Sequence, residues 1–369
     1  VLFHSKRDPH GLAFEMDDVR MSWQSLAEAT SGVAHVLAES GVKQGEVVAL
    51  LGSNSPFYLV AVLGISRVGA TAALINNHLE GRPLAHALKT SGAKVGLIET
   101  RHRAAVDALA DVDSFLPKRW IFGEGGDFEA ALARMPRSSF KPAKVSHNHD
   151  FVYIYTSGTT GLPKPCRISH SRAVMAGAAF GAVMFEFEPG DKLYCALPLY
   201  HASALLLGAA ACIATGTPMA MRESFSARAF WPDVKRYGAT AMIYIGELCR
   251  YLMAAAPSPE ERETRLRVAV GNGMRPDVWE PFQKRFGIEK IREFYAATEA
   301  PGFLVNLSGR VGAVGRVPLA GMGWLTLVKY DVDRDEHPRD ANGFCIECGP
   351  DEPGELLVRL PQRLQIGAL

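Results

Sequence analysis

The sequence predicts an α/β fold: two stacked, mostly parallel-sheet subdomains with covering helices, plus a small antiparallel β unit near the C-terminus. Three observations predict it. Short apolar runs of strand length alternate with amphipathic segments of ten or more residues, the signal of βαβ units in a buried parallel sheet. The same rhythm resumes after a glycine- and threonine-rich loop that ends at Lys164. Over residues 321–369 it gives way to short alternating segments broken by turn residues.

In chain order, Trp23-Gln24-Ser25-Leu26 opens an amphipathic helix to about Ser40, with Leu26, Val33, Val36 and Leu37 on its apolar face. Gly41-Val42-Lys43-Gln44-Gly45 turns the chain into the strand Val47-Val48-Ala49-Leu50-Leu51. Asn54-Ser55-Pro56 caps a helix from Tyr58 to Val68, and Gly69-Ala70 leads into the strand Ala72-Ala73-Leu74-Ile75. The stretch Phe128 to His149 has little apolar order and two prolines, which places the subdomain connection there and divides the chain into 1–145 and 146–320. In the second part Tyr194 to Leu197, Thr217 to Ala220, Ala241 to Ile245 and Arg267 to Val270 read as strands with helices between them. In the β-rich segment 321–369, Leu325 to Tyr330 reads as a strand and Asp340-Ala341-Asn342-Gly343 as a turn.

With 369 residues and 48% hydrophobic content the chain buries a large core. Forty basic against 39 acidic residues leave a net charge of +1, which gives no electrostatic case for a nucleic-acid partner. Six cysteines suit a reducing, intracellular compartment, and the lone Cys345-x-x-Cys348 pair, without a second Cys or His pair, does not make a zinc site. Asn306-Leu307-Ser308 is a formal glycosylation sequon, but no signal peptide precedes it. No Asp, Glu, Lys or Arg occurs in the 29 residues between Lys192 and Arg222. A membrane span needs about 20 apolar residues. Here Pro198, Gly208, Gly216 and Pro218 interrupt the run, so a strand, a loop and a buried helix fit it better. Nothing in the sequence selects an oligomeric state.

Residues Tyr155 to Lys164 read Tyr-Thr-Ser-Gly-Thr-Thr-Gly-Leu-Pro-Lys and follow the apolar stretch Phe151-Val152-Tyr153-Ile154. Gly158 and Gly161 have access to backbone angles closed to other residues, so amide groups can turn toward one anion. Thr156, Ser157, Thr159 and Thr160 add hydroxyl donors, and Lys164 adds a point charge. The spacing differs from the Gly-x-x-x-x-Gly-Lys-[Ser/Thr] loop of kinases and GTPases, because Lys164 lies three residues past Gly161 and is followed by Pro165. A Ser/Thr/Gly turn after a strand is common in α/β proteins; six consecutive small residues ending in Leu-Pro-Lys favour a phosphate-binding loop.

Three further strings stand out. Arg292 to Glu299 reads as a short strand ending in Tyr295-Ala296-Ala297-Thr298-Glu299, able to present an aromatic face, a hydroxyl and a carboxylate from one turn; alone, a strand end with a solvated glutamate explains it better. Gly271-Asn272-Gly273-Met274-Arg275-Pro276 is a glycine turn after a strand. Leu197-Pro198-Leu199-Tyr200-His201 sets one histidine beside apolar residues, where a packed histidine is commoner than a base.

Taken with the phosphate loop, these strings resemble the signatures of the adenylate-forming enzymes: acyl-CoA synthetases, luciferases and peptide-synthetase adenylation domains. The resemblance implies attack of a carboxylate on the α-phosphate of ATP to give an acyl-adenylate and pyrophosphate. It implies a nucleotide site from Thr156, Ser157, Gly158, Thr159, Thr160, Gly161, Lys164, Gly271, Asn272, Gly273, Tyr295 and Thr298. Tyr295 would lie against adenine, Thr298 near the α-phosphate, Glu299 on a magnesium ion, and His201 at the acyl pocket as a gate. Thr159, Lys164, Thr298 and Glu299 are then the candidate catalytic residues. Tyr244 to Leu252, Gly271 to Trp279, Ile291 to Tyr295, Gly312-Ala313-Val314-Gly315-Arg316 and Leu327 to Val332 are similar to the fatty-acid transport proteins and very-long-chain acyl-CoA synthetases. That narrower resemblance implies a fatty-acid substrate, ATP, Mg2+ and coenzyme A, a coupling to fatty-acid uptake, and peripheral association with an intracellular membrane of the peroxisome, endoplasmic reticulum or lipid droplet.

The chain departs from the family pattern in places. Pro165 replaces a small residue, Ala300-Pro301 replaces Gly-Asn, and Ala296 replaces a glycine; alanine held at positive φ costs about 1 kcal/mol. The sequence stops at Leu369, before the family's ribose-binding aspartate, hinge and C-terminal lysine domain, so incomplete catalysis is expected of these residues alone. A truncated or inactive homologue that binds nucleotide or acyl chains as a carrier or regulator is the alternative. An adenylation domain that loads a carrier protein shares the loop but not the longer strings.

Overall fold

The computed structural model describes residues 1–136, 138–157, 161–300, 302–317 and 325–358. Sixteen strands occur there in chain order: β1 (Leu12–Met16), β2 (Val19–Ser22), β3 (Val47–Leu51), β4 (Thr71–Ile75), β5 (Val95–Glu99), β6 (Lys118–Phe122), β7 (Asp150–Ser157) and β8 (Pro163–Ser169), then β9 (Leu193–Cys195), β10 (Met219–Met221), β11 (Ala241–Ile245), β12 (Val268–Asn272), β13 (Lys290–Ala296), β14 (Phe303–Asn306), β15 (Leu325–Val328) and β16 (Glu355–Val358). A six-stranded sheet has the order β6-β5-β3-β4-β7-β8 and an eight-stranded sheet the order β14-β13-β12-β11-β9-β10-β1-β2, while β15 and β16 form a separate antiparallel pair. Both large sheets are parallel in their interiors and antiparallel only at β7–β8, β1–β2 and β13–β14. The predicted class is the observed one.

The central strands are apolar without interruption because each is buried on both faces. Val48 and Leu50 of β3 and Ala72 and Leu74 of β4 face a core shared with the second sheet; Ala49, Leu51, Ala73 and Ile75 face the helix Gly81–Ser91 on the other side. Strand alternation with period two thus feeds two hydrophobic layers from one run. The helix Trp23–Glu39 is capped by Ser22, whose hydroxyl accepts from the Ser25 amide at 3.1 Å, and it buries Leu26, Val33, Val36 and Leu37. The next helix, Pro56–Arg67, is capped by Ser55 alone, with Pro56 in its first turn. That leaves the side chain of Asn54 for another use.

The sheets do not divide the chain at residue 145. Strand β7 pairs with β4 through Ala72↔Val152 and Leu74↔Ile154, so the hairpin that carries the glycine-rich loop completes the first sheet. Strand β1 pairs with β10 through Phe14↔Met219, so the N-terminal hairpin extends the second. The rhythm of elements fixes their order, whereas pairing follows which buried edges need a neighbour. The run between Lys192 and Arg222 forms β9, a π-helical segment Ser203–Ala209, a helix Ala210–Thr215 ended by Gly216 at φ +79°, and β10. Among the described residues, no helix is long and apolar enough to cross a membrane.

Candidate nucleotide site

Ligand sites of parallel sheets lie beyond the carboxyl ends of the strands. Here β7, β12 and β13 end in the three strings singled out above, and β9 leads into the fourth. In the β7–β8 hairpin Thr156 stands opposite Lys164 and Ser157 opposite Pro163. Directly paired residues of an antiparallel ladder share a face, so the Thr156 hydroxyl and the exposed Lys164 ammonium address the same space. Gly161 has φ +76°, the left-handed backbone that the loop asks of a glycine. Gly158, Thr159 and Thr160, together with the side chain of Ser157, lie outside the described residues.

Tyr295 is half exposed at the end of β13, in register with Leu304. Ala296 remains in the ladder opposite Phe303 and is not among the residues of positive φ, so the strain expected from replacing a glycine does not arise. The turn that follows carries Thr298 and Glu299, and it is held from the hairpin side. Cys166 of β8 donates its thiol to the Thr298 carbonyl at 3.0 Å. Arg172, in the first turn of the helix His170–Ala179, donates from Nη2 to the carbonyls of Ala300 at 2.7 Å and Ala297 at 3.2 Å. Burial pushes the Cys166 thiol above its ordinary pKa, which keeps the proton this contact needs.

Gly273 has φ +79° and Gly271 lies in β12, but the close approach made by Gly271 is internal. A Cβ there would fall 2.3 Å from the Tyr244 carbonyl oxygen and 2.5 Å from its ring, and one on Gly246 would fall 1.7 Å from the Gly273 oxygen. Backbone thus packs on backbone beneath the loop, with Asn272 half-buried opposite Ile245. The carboxylate of Glu293, two residues before Tyr295, braces it: Glu293 is buried and accepts from the Met274 amide at 2.6 Å and from the Tyr244 hydroxyl at 3.1 Å. Burial raises its pKa against the effect of both donors. Sequence reasoning missed Glu293, because Lys290 and Arg292 stand in the same strand and a third charged residue there gives no local sign of burial.

His201 is open to solvent, with its ring 4.5 Å from that of Tyr200, and the low-dielectric wall beside it lowers its pKa by desolvation. Pro198 and Tyr200, just before it, line a cleft of about 450 Å³ together with Phe225, Ile245, Leu248 and Tyr251. The opposite wall is polar and comes from the first sheet, through Asn54, Asn77 and His102. Asn54 joins the walls: it donates to the carbonyls of Leu197 at 2.9 Å and Arg222 at 3.2 Å and accepts from the Leu199 amide at 2.7 Å. Among the described residues, no three His, Cys, Asp or Glu side chains cluster as a metal site.

Comparison with known proteins shows the family. The family described as AMP-binding enzyme matches residues 3–365. Long-chain fatty acid transport protein 1 of Mus musculus is 37% identical over 97% of this chain and 58% of its own length. A medium/long-chain-fatty-acid–CoA ligase of Mycobacterium tuberculosis is 36% identical over 94% of this chain and 57% of its own. The chain therefore spans somewhat over half the length of such relatives. Among solved structures, ATP-bound MatB from Rhodopseudomonas palustris superposes with a TM-score of 0.80 at 22% identity, covering 95% of this chain and 67% of that one. The anthranilate CoA ligase AuaEII in complex with anthranoyl-AMP gives 0.79 at 18% identity, covering 91% and 66%. At these identities the likeness is one of fold.

Proposed function

Because the chain belongs to the AMP-binding enzyme family, we propose that it supplies the nucleotide- and acyl-binding part of an AMP-forming acid–CoA ligase acting on long- or very-long-chain fatty acids. The observation that carries this reading is the union of the Thr156/Lys164 hairpin with the Tyr295–Glu299 turn through Cys166 and Arg172. That union supports a reading in which the Lys164 cation, the Thr156 hydroxyl, the Tyr295 ring and the Glu299 carboxylate serve one nucleotide. The names of the relatives at 36–37% identity support the fatty-acid substrate.

In the reaction, a fatty-acid carboxylate oxygen bonds to the α-phosphorus of ATP as the bond from that phosphorus to the bridging oxygen of pyrophosphate breaks. The thiol of coenzyme A then displaces AMP from the acyl carbon, giving up its proton. Lys164 and Thr156 hold phosphate oxygens as charge redistributes, and Tyr295 seats the base. Fixed donors of this kind are worth roughly 10²–10³-fold in rate. Glu299, with the Thr298 hydroxyl beside it, would hold Mg2+, since both are hard oxygen donors of the kind the ion takes. Bound there, the ion supplies neutralisation of the triphosphate. The apolar wall at Tyr200, Phe225, Ile245, Leu248 and Tyr251 offers the acyl chain its contact, with His201 beside it. An insoluble substrate of this class goes with a peripheral position at an intracellular membrane.

Calorimetry tests the assignment. Lys164→Ala lowers Mg-ATP affinity by about tenfold, the size of one charge-assisted hydrogen bond, while Glu299→Gln weakens Mg-ATP and leaves AMP nearly unchanged. Equal Mg-ATP affinity in wild type and Lys164→Ala removes the hairpin from the site.

A further inference from the structure

Arg172 lies outside every string that suggested the site, yet its guanidinium is bonded to the turn bearing Thr298 and Glu299. The two carbonyls it binds, those of Ala297 and Ala300, bracket that pair, and the carbonyl of Thr298 between them is taken by Cys166. Both donors belong to the segment that leaves the phosphate hairpin: Lys164 and Cys166 are on β8, and β8 runs directly into the helix that carries Arg172. The far end of that helix is fixed to β13 as well. Arg292 donates to the carbonyls of Val183 at 2.8 Å and Met184 at 2.9 Å in the π-helical turn that continues it, and Phe180 packs edge-to-face on Phe294 at 5.0 Å. The helix is strapped to β13 at its far end and continues directly from β8 at its near end, so Arg172 is not needed to dock it. Its bonds go instead to a turn that, among the described residues, is otherwise held by the Cys166 thiol and one local contact, the Ala300 amide to the Ala297 carbonyl at 3.2 Å.

We infer that Arg172 is a positioning residue for the nucleotide site: it fixes the Thr298–Glu299 turn at a set distance from Lys164, so that the carboxylate and the ammonium bind one Mg-triphosphate together. This deepens the ligase reading and rests on it for the identity of the ligand. The guanidinium suits the task, since the two N–H groups of the one nitrogen Nη2 meet both carbonyls and the charge is permanent. Displacements near 1 Å at such a turn cost about 10²-fold in a reaction that depends on alignment.

The test has two arms. Peptide-resolved hydrogen exchange without nucleotide compares wild type, Arg172→Ala and Arg172→Lys; release of the turn in the alanine variant speeds exchange across Glu293 to Ala300 by about tenfold or more, with lysine between the two. Calorimetry on the same proteins then shows Mg-ATP weakened by about tenfold in Arg172→Ala, AMP by less than about threefold, and partial recovery with lysine, as expected for one lost charged hydrogen bond. Cys166→Ala, which removes only the thiol contact, gives a smaller change of the same pattern and serves if Arg172→Ala does not fold. Unchanged exchange in Arg172→Ala overturns the inference whatever the nucleotide does. Faster exchange with Mg-ATP and AMP weakened equally overturns the positioning role. A wild type that binds neither nucleotide refutes the ligase reading instead, and the exchange arm still decides whether Arg172 holds the turn.

Discussion

Asn54→Ala removes one amide and uncovers three main-chain groups at the seam between the sheets. Asn54 is 6% exposed, and its partners are the carbonyls of Leu197 and Arg222 and the amide of Leu199. Leu197 and Leu199 are themselves buried, so water does not replace the lost bonds there. Each buried polar group left unpaired costs about 1–3 kcal/mol. Two such groups at the lower half of that range give about 3 kcal/mol. An unfolding entropy of about 2.1 cal/mol/K per residue puts the matching fall in Tm at roughly 4 °C for a chain of this length. Differential scanning calorimetry reads the shift, and Asn54→Asp separates its parts. Aspartate still accepts from Leu199 but cannot donate to Leu197 or Arg222, and it sets a charge against two carbonyls, so it loses at least as much as alanine. A Tm within about 1 °C of wild type for either variant would refute the reasoning that ties magnitude to orphaned groups.

Gly246→Ala drives a methyl into the Gly273 carbonyl, only 1.7 Å from the ideal Cβ, so the Gly271–Arg275 loop must move. Stability falls by about 1–3 kcal/mol, the usual cost of overpacking, and nucleotide affinity falls with it in calorimetry. Asp191→Asn probes pH: burial opposes ionisation of Asp191, but hydrogen bonds from Arg267, the Glu188 amide and Thr240 hold its pKa below the ordinary 3.8. A depressed carboxyl stabilises the fold above its unfolded value and loses that contribution as pH falls through the folded one. Denaturant melts therefore separate wild type from Asp191→Asn at pH 7 and bring them together in strong acid; a gap that persists or grows in acid refutes the assignment.

What the sequence made legible was whatever local pattern determines. The helix Trp23–Glu39 and strand Val47–Leu51 were readable because capping and apolar periodicity act within a few residues. Pairing was not. Strand β1 carries Glu15, buried and ion-paired with Lys192, and finds its parallel partner some 200 residues away in β10. No local rule joins those segments. The hairpin after residue 149 reads as the start of a new unit because a disordered pattern precedes it, yet Val152 and Ile154 are needed to cover the open edge of β4. The exposure of Lys164 and Tyr295 was legible because each stands beside a turn-forming string at a strand end. Glu293 and Arg172 were not, since each acts by bonding main-chain atoms of a distant segment.

The contacts joining the two sheets at the site are unequal, and the inequality bears on which substitutions matter. Arg101 and Glu223 form an ion pair across the cleft, but both are substantially exposed, and exposed pairs contribute about 0–1 kcal/mol. Asn54, Cys166 and Arg172 each bind main-chain atoms across the same seam in buried or half-buried surroundings. A carbonyl or amide cannot change identity by mutation, so these bonds depend on one partner only. The geometry of the Tyr295–Glu299 turn is thus stored in the sequence at positions 166 and 172, and that of the Leu197–His201 segment at position 54. Changes at those three positions disturb the site more than removal of the visible Arg101–Glu223 pair, even though none of the three needs to touch a ligand.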